Sequence, residues 1–251
     1  MLRKLIKYDL KVLGKIMIPL WCVLIVFGII QGVSPKAATI DSAFQENVLK
    51  VYMIFMIISI LSVFFVNIII VIQRFWRSMY GQEGYLTHTL PVTARQLILS
   101  KVISATIISF ISVFILEAEN IILMYFQTQN VYQGTFSIQG IVIHNPGDLT
   151  KMKVICGIIY AIIYGIIWVI HLIYETYTAM SIGQLSDKNR FIIALISGAF
   201  IFNFSYELQT IVTQRFRGAQ YDLYNLIVFV VEILVCHVIT ELIISRRLNL
   251  T

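Results

Sequence analysis

Long apolar runs constrain what this chain can fold into more than any other feature of its sequence. The clearest one, residues 51–73, contains no charged side chain. About 20 apolar residues in a helix are enough to cross the roughly 30 Å hydrocarbon core of a bilayer. A water-soluble fold would instead have to bury several such runs in one core. The sequence therefore predicts an all-α integral membrane protein.

Six runs meet this requirement, so we predict six transmembrane helices in a single domain covering residues 1–251. The predicted spans are residues 16–33, 51–73, 97–126, 154–180, 191–211 and 223–245. Acidic residues interrupt the third and fifth runs and leave their outer ends less sharply defined. The composition agrees with this prediction. It is 59% hydrophobic and 13% charged, against roughly 45–50% and about 25% in soluble domains.

The distribution of Lys and Arg predicts the orientation of the spans. Cytoplasmic loops of membrane proteins carry an excess of these residues. Here they concentrate in the N-terminal segment, the second-to-third loop, the fourth-to-fifth loop and the C-terminal tail. We therefore expect both termini on the cytoplasmic side. The net charge of +6 is explained by this topology. The sequence does not predict nucleic-acid binding, because its basic residues form no face interleaved with aromatic residues.

Residues 1–15 predict an amphipathic helix lying in the inner headgroup layer. Apolar residues recur at helical spacing on one face, and basic residues occupy the other. The basic residues are Arg3, Lys4, Lys7, Lys11 and Lys15. A basic flank that only sets the topology remains an alternative, and Asp9 on the apolar face favours that alternative.

A polar stretch, "EGYLTHTLPVTARQLILSK" at residues 83–101, separates the second run from the third. Pro91 prevents one helix from continuing through it, because proline lacks an N–H and disfavours helix at the preceding residue. Thr93 and Gln96 have the spacing of a capping box, so we expect a new helix to begin at Ala94. The stretch suits docking of a cytoplasmic partner, and an ordinary solvated loop remains the alternative.

Ionisable residues inside the predicted spans are the other functional signal. They are Glu117, Glu119, His171, Glu175, Glu232, His237 and Glu241. Each costs roughly 2.5–3.5 kcal/mol at a span centre and therefore usually faces a cavity or a partner. His171 and Glu175 share a helix face. We expect the first five to line a substrate path, with hydrogen bonding between helices as the alternative, and we expect no metal site, because a pair falls short of three ligands.

The stretch at residues 83–101 resembles the segment that joins the second and third spans in permease subunits of ABC transporters of the type-two exporter class. A second stretch, "YTAMSIGQLSDKNR" at residues 177–190, resembles the inner end of the fourth span in that family, where a small-residue helix ending is followed by Gly-Gln-Leu and a basic loop. Six spans, cytoplasmic termini and an amphipathic leading helix agree with the family over essentially the whole chain.

The resemblance implies that this chain forms the path while a separate subunit hydrolyses ATP. It implies a cytoplasmic coupling helix at about residues 84–97. The residues expected to contact the ATPase are Glu83, Gly84, Tyr85, Leu86, Thr87, His88, Leu90, Pro91 and Arg95. Two ATPase copies, carrying ATP and magnesium, and a second permease subunit, expected to be a copy of this chain, are the implied partners besides lipid. The sequence contains no G-x-x-x-x-G-K-[ST] loop to cradle phosphates, so we expect the chain to bind no cofactor and not to be an enzyme.

The resemblance also implies a bacterial cell membrane and a cargo. As a small permease without a large outer domain, this chain is similar to exporters of amphipathic peptides. Their cargoes include phenol-soluble-modulin-type toxins and antimicrobial peptides. The alternative function is a secondary transporter or channel driven by an ion gradient, with the buried Glu and His residues as proton sites. A membrane-embedded enzyme is a third hypothesis, disfavoured because no catalytic set of residues is found.

Overall fold

A computed structural model describes most of the chain. The described residues are 2–33, 42–81, 84, 92–127, 136–138, 141–143, 151–186, 188–216 and 219–247. They form helices α1 (Leu2–Val33), α2 (Ser42–Met79), α3 (Ala94–Gln127), α4 (Lys151–Gly183), α5 (Arg190–Arg215) and α6 (Ala219–Arg247). Two short strands, β1 (Phe136–Ile138) and β2 (Ile141–Ile143), pair antiparallel between α3 and α4. The predicted helical architecture is confirmed, with this strand pair as a small addition.

Five of the helices contain a stretch long and apolar enough to cross a membrane. These stretches are Ile57–Met79, Ala94–Ala118, Ile159–Gly183, Arg190–Arg215 and Leu223–Arg246. They correspond to the second through sixth predicted spans, so the chain has the fold of a multi-pass membrane protein. The first predicted span, residues 16–33, lies within α1 and is not among the stretches found in the described residues. It stays a prediction.

The leading helix does not end where the sequence suggested. Residues 1–15 and 16–33 were expected to form an interfacial helix and a separate span, yet α1 runs unbroken from Leu2 to Val33 and includes Pro19. Gly14, next to the junction of the two parts, does not end the helix, because one glycine costs only about 1 kcal/mol relative to alanine. The basic segment is therefore a direct extension of the apolar one.

The chain divides into two compact units, which we describe separately. The first comprises Met1–Lys11, Val71–Ile107 and Gly157–Thr251, and the second comprises Val12–Ile70 and Ile108–Cys156. In the second unit, hydrogen bonds cross between helices. Trp21 Nε1 donates to Ser112 Oγ at 3.0 Å, and Ser109 Oγ donates to Asn67 Oδ1 at 3.2 Å. Such bonds, with close packing, hold helices together where lipid removes the hydrophobic driving force.

The core of the first unit is built on aromatic and aliphatic side chains of α2, α3, α4 and α6. At its centre Phe75 and Tyr177 stack with ring centroids 3.8 Å apart and planes 13° apart. Small polar residues also lie inside, and Thr178 and Thr240 share a hydrogen bond of 3.1 Å between α4 and α6. Large apolar side chains cover the outside, for example Phe200, which is 72% exposed. Polar groups inside and apolar groups outside are typical of a helical bundle in lipid.

Side-chain contacts bring five helix ends together in the first unit. The C-terminal ends of α2 and α4 meet where Tyr80 donates a hydrogen bond to Ser181. The N-terminal end of α3 meets the C-terminal end of α6 where Arg95 pairs with Glu241. The N-terminal part of α1 joins them through Asp9. These helix ends lie next to the segments that the distribution of Lys and Arg predicts to be on the cytoplasmic side of the membrane.

Candidate functional site

The connector, which we define as residues 80–93 between α2 and α3, is held firmly where the structure describes it. Tyr80 donates its hydroxyl proton to Ser181 Oγ at 2.9 Å. Burial raises the pKa of Tyr80 to about 12, an effect that this hydrogen bond only partly offsets, so the hydroxyl stays protonated. Gly84 is buried, and a Cβ there would lie 2.7 Å from the carbonyl oxygen of Met79. Glycine is therefore needed for the close approach.

The predicted start of the helix after the connector is confirmed. Helix α3 begins at Ala94, and the N–H of Gln96 donates a long hydrogen bond of 3.4 Å to Thr93 Oγ1. Threonine at this position satisfies one of the N–H groups that a helix start leaves without an intrahelical acceptor. Of the residues expected to contact an ATPase, Gly84 and Arg95 are described. The others, Glu83, Tyr85, Leu86, Thr87, His88, Leu90 and Pro91, lie outside the described residues.

Arg95 is engaged within the chain. Its Nε lies 2.6 Å from Oε1 of Glu241, and the two side chains are 70% and 22% exposed. His237 Nε2 lies 3.9 Å from the other Glu241 oxygen, and His237 Nδ1 lies 3.1 Å from the hydroxyl of Tyr174. The first turn of α3 is thereby tied to α6 and, through Tyr174, to α4.

We expect replacement of Arg95 by alanine to lower the free energy of unfolding by at most about 1 kcal/mol, because exposed ion pairs contribute little. Denaturant titration in mixed micelles measures the change. Glu241→Ala is the matched control and should give a similarly small value. A loss above about 2 kcal/mol for either variant would contradict this expectation.

A buried ion cluster, the Asp9 cluster, joins the first three helices. Lys101 Nζ lies 2.7 Å from both carboxylate oxygens of Asp9, and Arg74 donates to Oδ1 from Nη2 at 2.8 Å and from Nε at 3.0 Å. Asp9 is 1% exposed and Lys101 is 4% exposed. The basic side chains of α2 and α3 thus converge on one carboxylate of α1.

The residues of the Asp9 cluster stand out in the sequence, but their pattern alone favours other roles for them. On sequence, Asp9 is a defect in the apolar face of an interfacial helix, whereas in the structure it is the acceptor of the cluster. On sequence, Arg74 and Lys101 look like solvated basic residues near span ends, which indicate the cytoplasmic side. In the structure they are ion-pair partners of Asp9. An acid on an apolar helix face and basic residues at the ends of two apolar runs indicate a pairing only once the helices are placed.

A second buried group, the His171 cluster, joins α4, α5 and α6. His171 Nε2 lies 2.6 Å from Oε2 of Glu232 and 3.5 Å from Oε1 of Glu175. Ser205 donates a short hydrogen bond to the same Glu175 oxygen. Among the described residues, neither ring nitrogen of His171 and neither oxygen of Glu232 has a well-aligned hydrogen-bond partner. The contact of His171 with Glu232 is therefore close but is not aligned as a hydrogen bond.

The His171 cluster has the chemistry of a proton or cation site that is closed to solvent. His171, Glu175 and Glu232 are 2%, 1% and 9% exposed. A protonated His171 would balance one carboxylate, and the second carboxylate leaves one negative charge unless it holds a proton. Among the described residues, no group of three or more His, Cys, Asp or Glu side chains is arranged to hold a metal ion. The cluster can bind a proton, and its three ionisable side chains are buried among the described residues.

The five residues expected to line a path fall in different places. His171, Glu175 and Glu232 come together in the first unit. Glu117 is exposed and belongs to the second unit. Glu119 lies in α3, and its side chain is outside the described residues. The spacing of His171 and Glu175 predicted their shared helix face, whereas the contributions of Ser205 and Glu232 depend on how α5 and α6 pack.

No protein-family model matches this chain, and no curated protein or solved structure is similar to it at a significant level. Function is therefore inferred from the residues and from their geometry.

Proposed function

We propose that this chain is the membrane-spanning permease subunit of an ATP-driven ABC exporter of the type-two class. The observation that carries the proposal is the anchoring of the connector on both sides. Tyr80 ties its start to α4, and Arg95, just beyond its end, ties α3 to α6. A force applied to the connector would therefore reach several spans at once.

The Asp9 cluster extends this mechanical link to the leading helix. Arg74 lies near the end of α2 and Lys101 near the start of α3, so both flank the connector, and both hold Asp9 of α1. Rigid groups of helices that tilt about an interface are one of the common ways to change access across a membrane. ATP-driven closure of a motor beneath the connector would move α1 together with α2, α3, α4 and α6.

The motor must be supplied by partners, because the chain lacks a phosphate-binding loop. We propose two ATPase subunits that carry ATP and magnesium, and a second permease copy, in a bacterial cell membrane with both termini cytoplasmic. The start of α1 suits the headgroup layer. Its basic residues are exposed, and beside them Tyr8, Val12 and Ile16 are 68%, 40% and 53% exposed. Such a face contacts lipid headgroups and acyl chains together.

Deleting residues 82–90 is expected to abolish co-purification with the co-expressed ABC ATPase that pairs with the intact chain, because the docking segment is lost. Glu83→Arg should reduce co-purification strongly without changing expression. The matched control is Lys188→Glu, an exposed charge change in the loop between α4 and α5, which should leave assembly intact. Affinity pull-down from membranes measures the effect. Unchanged assembly of the deletion variant, with ATP-stimulated transport retained, would refute the proposal.

The cargo is proposed to be an amphipathic peptide, including toxin-like and antimicrobial peptides. This proposal rests on the resemblance of a small permease without a large outer domain to exporters of such peptides. The two carboxyl groups of the His171 cluster lie within the spans, and they would favour cationic cargo only if the cluster carried a net negative charge and opened during the cycle. Its burial places it away from any cargo in the conformation described.

The His171 cluster supports a second candidate function, transport driven by an ion gradient. Buried His and Glu side chains within membrane spans commonly mark proton relays. Vesicles loaded with this chain and a fluorescent cationic amphipathic peptide distinguish the two candidates. Transport that needs the ATPase and ATP supports the exporter, whereas transport that persists without the ATPase and stops on addition of an uncoupler supports the gradient-driven candidate.

A further inference from the structure

Helix α5 packs against the rest of the first unit through one narrow face. Its buried residues are Gly198, Ser205 and Val212, spaced seven apart. A Cβ at Gly198 would lie 3.5 Å from the Cβ of Ala179, and Ser197 donates a hydrogen bond to the carbonyl oxygen of Ala179. This face is the side by which α5 meets α4.

The opposite side of α5 carries an ordered row of residues that we call the outer seam. At about 100° per residue, these residues fall within an arc of about 80° directly opposite the buried face. They are spaced alternately four and three apart, the pattern of a seam between two packed helices. The outer seam consists of Ile196, Phe200, Asn203, Glu207, Thr210 and Gln214. All are exposed except Thr210, which is half-buried.

The outer seam is unsuited to lipid. Asn203 lies at the midpoint of the candidate span Arg190–Arg215, and Glu207 lies about 6 Å further along the helix axis at 1.5 Å per residue. An acid near the centre of a span costs roughly 2.5–3.5 kcal/mol when it faces hydrocarbon. Asn203 Nδ2 donates to the carbonyl oxygen of Ala199 at 2.7 Å, and the described residues contain no hydrogen-bond or ion-pair partner for the Glu207 carboxylate. A polar face of this kind needs a protein surface against it.

We propose that the outer seam is the surface through which two copies of this chain pair in the membrane. Two copies insert in the same orientation, so their α5 helices run parallel and the seam meets itself. Asn203 then lies one turn, about 6 Å, from the partner subunit's Glu207 along the axis. Its second amide N–H can donate to that carboxylate, and the reciprocal bond forms by symmetry.

The polar groups of the seam are complementary to one another. Asn203 supplies an amide donor one turn from the Glu207 acceptor, and hydrogen bonds between polar side chains promote association of membrane helices. Ile196 and Phe200 supply apolar contact at the other end of the seam, where they are 64% and 72% exposed. Polar residues at fixed turns of a helix seam also set which turn of one helix meets which turn of the other. Pairing through the seam requires only that α5 crosses the membrane, so it stands or falls separately from the exporter proposal.

Cysteine cross-linking in membranes tests the outer seam directly. The background is the full chain with Cys22, Cys156 and Cys236 replaced by serine. Ile196→Cys and Asn203→Cys place thiols on the seam. The controls Leu195→Cys and Phe202→Cys place them about 100° away at nearly the same depth, at positions that are 58% and 41% exposed. A disulfide needs Cα atoms within about 7 Å, so only facing positions can form one.

We expect mild oxidation to convert most of the seam variants to covalent dimers on non-reducing gels, with at least a tenfold lower yield for the controls. Equal yields in all four variants, or no dimer in any, would overturn the proposal. Modification of the seam thiols by a membrane-impermeant maleimide would also overturn it and would indicate a water-filled cavity along this face.

A second measurement needs no cysteine. Energy transfer between labelled copies in vesicles should show a dimer whose dissociation constant rises about tenfold for the double variant Asn203→Leu, Glu207→Leu, because its hydrogen bonds are lost. The matched double variant Phe202→Leu, Tyr206→Leu changes exposed residues off the seam and should leave the constant unchanged. Both measurements use this chain alone. Their outcome therefore does not depend on whether the chain binds an ATPase or transports a cargo.

Discussion

Asp9→Asn is expected to lower the free energy of unfolding by about 3–5 kcal/mol, the loss typical when one partner is removed from a buried ion group. The asparagine side chain keeps the shape of the carboxylate, so little packing is lost. What changes is the charge balance, because Lys101 at 4% exposure would face a neutral amide instead of an anion. Asp9 and Lys101 are both buried, so water compensates the cation of Lys101 poorly.

Denaturant titration of the purified chain in mixed micelles measures this loss. Lys7→Gln is the matched control, because Lys7 is an exposed residue of the same helix and should change stability by no more than about 0.5 kcal/mol. Adding Lys101→Met to Asp9→Asn should cost less than the sum of the two single changes, since the uncompensated cation is gone. Additive losses would show that Asp9 and Lys101 do not act as a pair. A loss for Asp9→Asn no larger than for Lys7→Gln would show that the cluster contributes no stability.

His171→Leu is expected to have the second large effect, again about 3–5 kcal/mol, because it leaves two buried carboxylates facing each other without a cation. Both acids are at least nine-tenths buried. Glu232→Gln should cost much less, about 1 kcal/mol, because it removes one of two like charges and leaves His171 with Glu175. The order of the two losses is therefore the informative result.

The same titration measures the His171 prediction. Trp168→Leu, on the same helix and 41% exposed, is the control for changes on the outer surface of α4 and should be nearly neutral. A larger loss for Glu232→Gln than for His171→Leu would contradict the charge balance proposed for the cluster. It would mean that Glu232 holds the cluster together and that His171 is a neutral ring packed against Phe229, from which its centroid lies 4.8 Å away.

Several features of this protein could be predicted because they depend on neighbours in the chain. Five of six predicted spans correspond to helices long and apolar enough to cross a membrane, since the length and polarity of a run are local properties. The start of α3 at Ala94 was predicted for the same reason. A proline disfavours helix at the residue before it, and a threonine followed three residues later by a glutamine favours the start of a helix. Both effects depend little on the rest of the structure.

The side-chain partners could not be predicted in this way. Asp9 and Lys101 are separated by 92 residues, and Arg95 and Glu241 by 146. A periodic pattern shows which face of a helix is polar, but it does not show which other helix covers that face. This is why the sequence alone presents Asp9 as a defect, Arg95 as free to contact a partner, and Glu117 as part of one group with His171.

By itself the sequence determined that this is a membrane protein and where five of its long apolar helices lie, because burying a polar backbone in lipid leaves helix as the stable choice for each long apolar run. Only the tertiary structure decided which charges are neutralised inside the chain and which remain for others. Asp9, Arg74 and Lys101 compensate one another, whereas Glu207 faces outward within a span. The physical reason is that a charge in a medium of low dielectric constant is stabilised only by groups a few ångströms away, and the packing of helices decides which groups those are.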